Sequence, residues 1–493
     1  MTSPVEQAVA LIDLAAELVA GTPLVTEVAE LRARLDGPLR VAIAGRVKAG
    51  KSTLLNALIG ERLAATDAGE CTRIVTWYRD GISYDVSAVD QDGVAHPLVF
   101  RRVEGVLEIE LGTLAVDRIT RLEVTWPSRA LQSVTLIDTP GLASIDDTNS
   151  LRTREFLAMG EDRPSDADAV IYLMRHLHRR DAEFLGSFLD RSVAATSPVN
   201  SVAVLSRADE IGAGRLDAME SAHRIARRYQ ADTDVRALCT TVVPIAGLLA
   251  ETGLTLREDE AAALRSIAGT PDDVLEPMLW STDRFCEPGS SEVTVEVRRS
   301  LLLRLGLFGL RLLVGEISGG RAATATDLAR TLVGMSGLDE LRAVIDELFL
   351  PRAQVLKARS TLTGLRTVAR RLAETDRAAG RRLAGEVERV ESSIPEFGQL
   401  RLVHLVRSGA VAFSPEQTAE LEQLTAPMAS TTERLGLGPG ADPHELQIAA
   451  LDAIERWRTR AAAPLNDPAL TEVCESMART YEALYVEVTA PAE

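Results

Sequence analysis

Lysine is almost missing from this chain of 493 residues: Lys48, Lys51 and Lys357 are its only three, and arginine serves everywhere else. Positive charge is short as a whole, with 54 Lys and Arg against 72 Asp and Glu and a formal net charge of −18. Wrapping nucleic acid needs clustered cations to neutralise phosphates, so no nucleic-acid partner is expected. A local basic face toward a membrane or a protein remains compatible with that balance. Cysteine is confined to Cys71, Cys239, Cys286 and Cys474, far apart and without paired spacing. That pattern argues against a disulfide framework or zinc site and for reduced thiols in a cytoplasmic setting. Aromatics make up only 4% of the chain, yet apolar residues reach 46%, too many for a disordered polymer. Uninterrupted hydrophobic runs are lacking too. The most apolar stretch, LLLRLGLFGLRLLVGEI, meets Arg304 and Arg311 before it reaches membrane-spanning length, so any membrane contact is expected to be peripheral. The first 20 residues contain acids and no basic segment, unlike a secretory leader.

A chain this long exceeds one compact core, and two or three domains are expected. Residues 4–36 read as two amphipathic helices, with Leu11, Leu14 and Leu18 on one face and Leu24, Val28, Leu31 and Leu35 on another. Gly37-Pro38 breaks that pattern, and the strand LRVAIAG follows. From there to about 250, strand-like runs (RIVTWYR, YDVSAV, LEVTW, SVTLID, AVIYLM, VAVLS, VVPIA) alternate with helical stretches. The alternation predicts an α/β domain with a mostly parallel sheet over 37–287. Residues 288–493 predict an elongated all-helical bundle. Two of its segments open on Ser414-Pro415-Glu416-Gln417 and Asp442-Pro443-His444-Glu445, each with an N-cap oxygen, Pro in the first turn and Gln or Glu at the third position.

The chemistry concentrates in Gly45-Arg46-Val47-Lys48-Ala49-Gly50-Lys51-Ser52, which fits G-x-x-x-x-G-K-[ST] between a strand and a helix. Glycines let a backbone wrap a β-phosphate, and the helix N-terminus offers free N–H groups to anionic oxygens. Lys51 is expected to reach the β- and γ-oxygens, and the Ser52 hydroxyl to ligate Mg²⁺. Two of the three lysines sit in this loop, where a compact ammonium fits better than a forked guanidinium. A second strand ends on Asp138-Thr139-Pro140-Gly141. Its carboxylate suits a magnesium-bound water, and the Gly141 N–H suits sensing of a γ-phosphate. A third ends on Ser206-Arg207-Ala208-Asp209, where GTPases carry Asn or Thr, Lys, any residue and Asp. Asp209 can accept from the ring N–H and exocyclic amine of guanine, which adenine does not present; a plain helix cap is the other reading. GTP is thus the expected substrate, with Mg²⁺ as cofactor.

The run GRVKAGKSTLLNALIG followed by TDAGECTRIVTWYRDG is narrower than a P-loop, and the chain resembles the bacterial dynamin-like GTPases of the actinobacterial, isoniazid-inducible kind. The likeness extends into GLFGLRLLVGEI, ELFLPRAQVLKARS, RLGLGPGADP and APLNDP. It implies that Thr72 is the switch threonine engaging Mg²⁺ and the attacking water. It also implies that the N-terminal helices join a late C-terminal helix in a neck, the rest of 288–493 completing neck and stalk. Pairing across GTPase faces with a second copy or a related dynamin-like chain is implied, as is work at the inner face of the cell membrane. The sequence departs from related enzymes at Leu142, where Ras-type proteins place a water-orienting Gln. That departure keeps open a GTP-binding scaffold with negligible hydrolysis. Lys48 occupies the position of an internal arginine finger in guanylate-binding proteins and atlastins; it is either such a finger or a solvent-facing lysine.

Two further segments have open alternatives. Residues 351–385 hold nine basic side chains, Arg352, Lys357, Arg359, Arg366, Arg370, Arg371, Arg377, Arg381 and Arg382, against Glu374 and Asp376. They suit anionic lipid or a stalk helix paired with acidic neighbours. The apolar segment near 394–413 is either a membrane-facing tip or a packed stalk helix.

Overall fold

The computed structural model describes residues 3–64, 74–103, 106–140, 166–175, 200–236, 238–407, 411–426 and 429–489. Each sequence-predicted strand of the α/β half forms. They are β1 (Leu39–Gly45), β2 (Val75–Arg79), β3 (Asp85–Asp90), β7 (Ile119–Thr125), β8 (Val134–Asp138), β9 (Ala169–Met174), β10 (Ser201–Ser206) and β11 (Val242–Ile245). Three more were not expected: β4 (Ala95–Pro97), β5 (Val99–Val103) and β6 (Val106–Glu110). Strands β5 and β6 form a separate antiparallel pair, and most of β5 faces solvent. Exposed strands of this kind carry too little apolar alternation to be seen in sequence.

The main sheet has nine strands in the order β11-β10-β9-β1-β8-β2-β7-β3-β4. From β11 to β8 all neighbours run parallel; β2 reverses against β8, and β3 and β4 add antiparallel ladders at the far edge. Strand β1 is central and buried on both faces, so it reads as a continuous apolar run, not an alternation. Its Val41 and Ile43 enter one core, and its Ala42 and Ala44 the other.

The longer helices are α1 (Pro4–Leu18), α2 (Val25–Asp36), α3 (Lys51–Ile59), α4 (Ala218–Ala231), α5 (Gly247–Thr255), α6 (Glu258–Ala268), α7 (Val295–Ser318), α8 (Ala325–Ser336), α9 (Leu338–Val344), α10 (Ala353–Thr375), α11 (Arg377–Ser393), α12 (Pro395–Arg407), α13 (Pro415–Leu424), α14 (Pro443–Ala461) and α15 (Pro468–Thr489). Helices α13 and α14 open with the capping boxes read from Ser414 and Asp442.

Apolar packing does not stop at 287. Leu301, Leu305, Phe308, Leu310, Leu313 of α7 and Leu328 and Leu332 of α8 share a core with Tyr172 and Leu205 of the sheet. Leu338, Leu341, Ile345, Phe349 and Leu356 join the core on the other face. Helical periodicity shows that a helix has an apolar face but not what that face covers, and here it covers the sheet.

The partner of the N-terminal helices also differs from expectation. Helices α1 and α2 bury Leu11, Ile12, Val28, Leu31 and Leu35 against Leu362, Leu365, Val368 and Leu372 of α10 and Leu383 and Val387 of α11. The last helix, α15, belongs instead to a second cluster with α12, α13 and α14. Leu400, Leu402, Val403 and Val406 of α12 are buried in that cluster, so the described apolar residues of this helix pack as core; residues 408–410 of the 394–413 segment lie outside the described residues.

Much of the basic run serves as internal struts. Lys357 Nζ donates to the carbonyls of Leu35 and Gly37, both at 2.8 Å, closing the end of α2. Arg352 donates to the Thr425 carbonyl at 3.3 Å. Arg366 pairs with Glu391, and Arg371 with Glu27.

Candidate nucleotide site

Strand β1 ends and α3 begins within the sheet's parallel half, between β9 and β8, where helix N-terminus and strand carboxyl ends converge. The loop between them needs two glycines for separate reasons. A Cβ on Gly45 would lie 2.6 Å from the Leu173 carbonyl of β9, so nothing larger fits. Gly50, the N-cap of α3, has φ +94°, a left-handed conformation that glycine adopts without strain. Arg46, Val47 and Lys48 are exposed at the turn and Ala49 is buried beneath it. Lys48 is itself left-handed, with φ +63°.

Lys51 is buried at 9% exposure, and burial pulls its ammonium below the usual lysine range against the opposing pull of Asp138. Asp138 ends β8, in register with Ile43 of β1. Burial pushes its carboxyl above the usual range, while Lys51 and Ser52 oppose the shift. Desolvation therefore outweighs mutual attraction for both groups, and both charged forms stand to gain from an added charge or donor. The Ser52 hydroxyl donates to Asp138 Oδ2 at 3.1 Å, whereas Asp138 Oδ1 is buried with no hydrogen-bond partner among the described residues. A hydroxyl and a carboxylate with a free buried oxygen are hard donors of the kind a small divalent cation takes. Thr139 anchors the turn: its Oγ1 donates to the Ile43 carbonyl at 2.9 Å.

The third motif lies beside the first. Arg207 adopts φ +55°, and its Nη2 donates to the Lys48 carbonyl at 3.0 Å while Nη1 donates to Glu210 at 2.7 Å. Ser206 Oγ donates to the Met174 carbonyl of β9 at 3.2 Å. Asp209 is buried, and desolvation pushes its carboxyl up to about 6. The structure thus brings Gly45, Arg46, Val47, Lys48, Ala49, Gly50, Lys51, Ser52, Asp138, Ser206, Arg207 and Asp209 to one end of the sheet. Thr72, Gly141 and Leu142 lie outside the described residues.

Sequence reading passed over Asn56. This buried α3 residue accepts from the N–H groups of Leu63 and Ala64 at 2.9 and 2.7 Å, and Arg62 donates to the neighbouring buried Glu251 at 2.9 Å. Its signal was a polar side chain inside LLNALIG, one helical turn beyond Ser52.

A P-loop at the end of β1, a carboxylate opposite its serine and a buried aspartate in the turn after β10 are the arrangement of a P-loop nucleotide-binding domain, and residues 41–200 match the dynamin family. Over 465 residues the chain is 39% identical to isoniazid-induced protein IniC of Mycobacterium tuberculosis, strains CDC 1551 and H37Rv, covering 93% of this chain and 92% of that protein. The chain belongs to the IniC-like group of bacterial dynamin-like proteins. It is also 29% identical over 151 residues to the bacterial dynamin-like protein of Nostoc punctiforme, covering 28% of this chain and 21% of that one. A solved structure described as an oligomerised bacterial dynamin pair, with a mechanism for long-range sensing and tethering of membranes, aligns at 16% identity. It covers 85% of this chain and 78% of its own, with a TM-score of 0.29.

Proposed function

We propose that this protein binds GTP with Mg²⁺ and hydrolyses it to GDP and phosphate. The observation that carries the reading is the convergence of Lys51, Ser52 and Asp138 at the mouth of β1, with one buried carboxylate oxygen that no described residue bonds. The loop amides and the Lys51 ammonium grip the β- and γ-phosphates, and the charge of the triphosphate offsets the desolvation of Lys51. Ser52 and Asp138 would hold Mg²⁺, which neutralises charge on the phosphate oxygens. Asp209 reads the guanine edge, and Arg207 holds that loop against the phosphate loop. Thr72 and Gly141, which lie outside the described residues, would act on the γ-phosphate side, as the family resemblance implies. Lys48, exposed at the turn of the loop, would serve as an internal finger between β- and γ-phosphate, the alternative being a solvent-facing lysine. Catalysis in this scheme is positioning and charge stabilisation, with no covalent intermediate.

Family membership supports a wider role: self-association across GTPase faces, or pairing with a related dynamin-like chain, coupled to remodelling or maintenance of the membrane from its cytoplasmic face. No described helix is long and apolar enough to cross a membrane. The domains of this reading are neck helices over 1–36, a GTPase domain from 37 whose core extends past 287, and the remaining helices as neck and stalk.

The test is multiple-turnover phosphate release from GTP with Mg²⁺, with and without anionic vesicles, for the wild type and Lys51→Ala. Turnover that vanishes in the variant supports the reading. Tight GTP binding with no turnover under either condition replaces it with a nucleotide-dependent scaffold.

A further inference from the structure

Helix α7 spans 24 residues, yet Gly306 within it has φ +61° and ψ 178°, far from helical values. The break falls beside the base-reading loop. A Cβ built on Gly306 would stand 3.5 Å from Asp209 Oδ2 and 4.0 Å from Leu248 Cδ1 at the start of α5. Among the described residues, the carboxylate of Asp209 accepts a hydrogen bond from its own main chain and from no other residue. A nearly buried acid with so few donors is costly unless a ligand supplies them.

The break is held from both sides. In the first half of α7, the Arg304 carbonyl accepts from Thr252 Oγ1 of α5 at 2.6 Å, and the Arg304 guanidinium pairs with Glu260 of α6. In the second half, Arg311 donates to the carbonyls of Ala213 and Gly214 at 3.1 and 2.7 Å, and to those of Leu279 and Trp280 at 2.9 and 3.1 Å. Gly214 in turn packs so closely that a Cβ there would lie 3.4 Å from the Phe308 nitrogen and 3.6 Å from the Asp209 carbonyl. The polar anchors on α5, α6 and the loop after Asp209 fix where the helix breaks, and that place is the Asp209 carboxylate.

We propose that Gly306 is a guanine-specificity residue: the break it creates in α7 keeps the space beside the Asp209 carboxylate open to the base. This rests on the reading of Asp209 as the guanine acceptor. Guanine offers two donors on one edge, a ring N–H and an exocyclic amine, and both need an approach to the carboxylate unobstructed by carbon. A methyl group at 306 would touch Oδ2 and would sit on a backbone conformation that side chains avoid. The helix must then straighten or shift, and either movement disturbs the wall of the base site.

The experiment compares GDP, XDP and ADP binding by calorimetry for the wild type, Gly306→Ala and Asp209→Asn, with circular dichroism to verify folding. Asp209→Asn should prefer XDP, and Gly306→Ala should weaken GDP about tenfold while narrowing its lead over ADP. Hydrogen exchange on the wild-type protein, which needs no variant to fold, should show GDP protecting amides at 305–309 together with those at 206–210. If Asp209→Asn gains no preference for XDP, the base-reading role itself fails. If that switch occurs while Gly306→Ala binds GDP as the wild type does, or if GDP protects 206–210 without 305–309, the proposal for Gly306 is overturned and the reading of Asp209 stands.

Discussion

Arg34 of α2 donates to Asp168 Oδ1 through Nε at 3.1 Å and Nη2 at 2.6 Å, and both side chains are almost fully buried. The other carboxylate oxygen accepts from the Arg40 N–H at 3.0 Å, so one aspartate ties an N-terminal helix to the first residues of β1. Removing one partner of a buried pair strands the other charge. Arg34→Ala should therefore destabilise folding by about 3 to 5 kcal/mol in chemical denaturation. Replacing both residues with apolar ones of similar volume should recover only part of that loss, because the Arg40 N–H then loses its acceptor.

Asp138 gives a prediction about metal dependence. Asp138→Asn keeps the shape of the site but removes the charge facing Lys51 and Ser52. The Mg²⁺ concentration needed for half-maximal GTP turnover should rise about 10- to 100-fold. An unchanged magnesium titration would remove Asp138 from the metal site.

The pH dependence follows from Asp209, whose carboxyl burial lifts from the ordinary 3.8 to about 6. A raised acid holds its proton longer in the folded chain than in the unfolded one. Its cost to stability is therefore absent below the unfolded value, grows as pH rises through that window, and is complete above about 6. Guanine binding runs the other way, because the ionised carboxylate is the better acceptor. GDP affinity should fall as pH drops below about 6, by up to about tenfold per unit, and this slope should disappear in Asp209→Asn.

Lys48 separates binding from turnover. Its exposed side chain leaves it free of packing duties, and alanine keeps the Cβ that the left-handed backbone already carries, so Lys48→Ala should fold normally and bind GTP with little change. A finger role predicts a fall in kcat of about tenfold or more with KM nearly unchanged. Full turnover at saturating GTP would end that role.

The strands and motifs of the site were legible because each couples a buried, β-branched run to a polar terminus: LRVAIAG to the P-loop, SVTLI to Asp138, VAVL to Ser206. What stayed hidden depended on partners distant in sequence. The apolar faces of α7 and α8 looked like stalk, yet they cover the sheet, since periodicity is silent about what a face meets. The partner of α1 and α2 was hidden for the same reason: α10 and α11 offer the same Leu and Val spacing as any other amphipathic helix. Strand β4 escaped because it is only three residues long and ends on a proline, and β5 and β6 because Arg101, Arg102, Glu108 and Glu110 interrupt them, with Arg101 paired to Glu108 and Glu110 across an exposed ladder. Asn56 escaped because a single amide in an apolar helix shows no partner until Leu63 and Ala64 fold back onto it.

Helix α10 has its root in the sheet core through Leu356 and its length among the N-terminal helices through Leu362, Leu365 and Leu372. Its 23 residues make a rod of about 35 Å without a break. A tilt of about 10° at the root would sweep the far end through about 6 Å. One unbroken helix thus joins the wall of the sheet domain to the N-terminal helices, so any tilt at its root would be carried undamped to them.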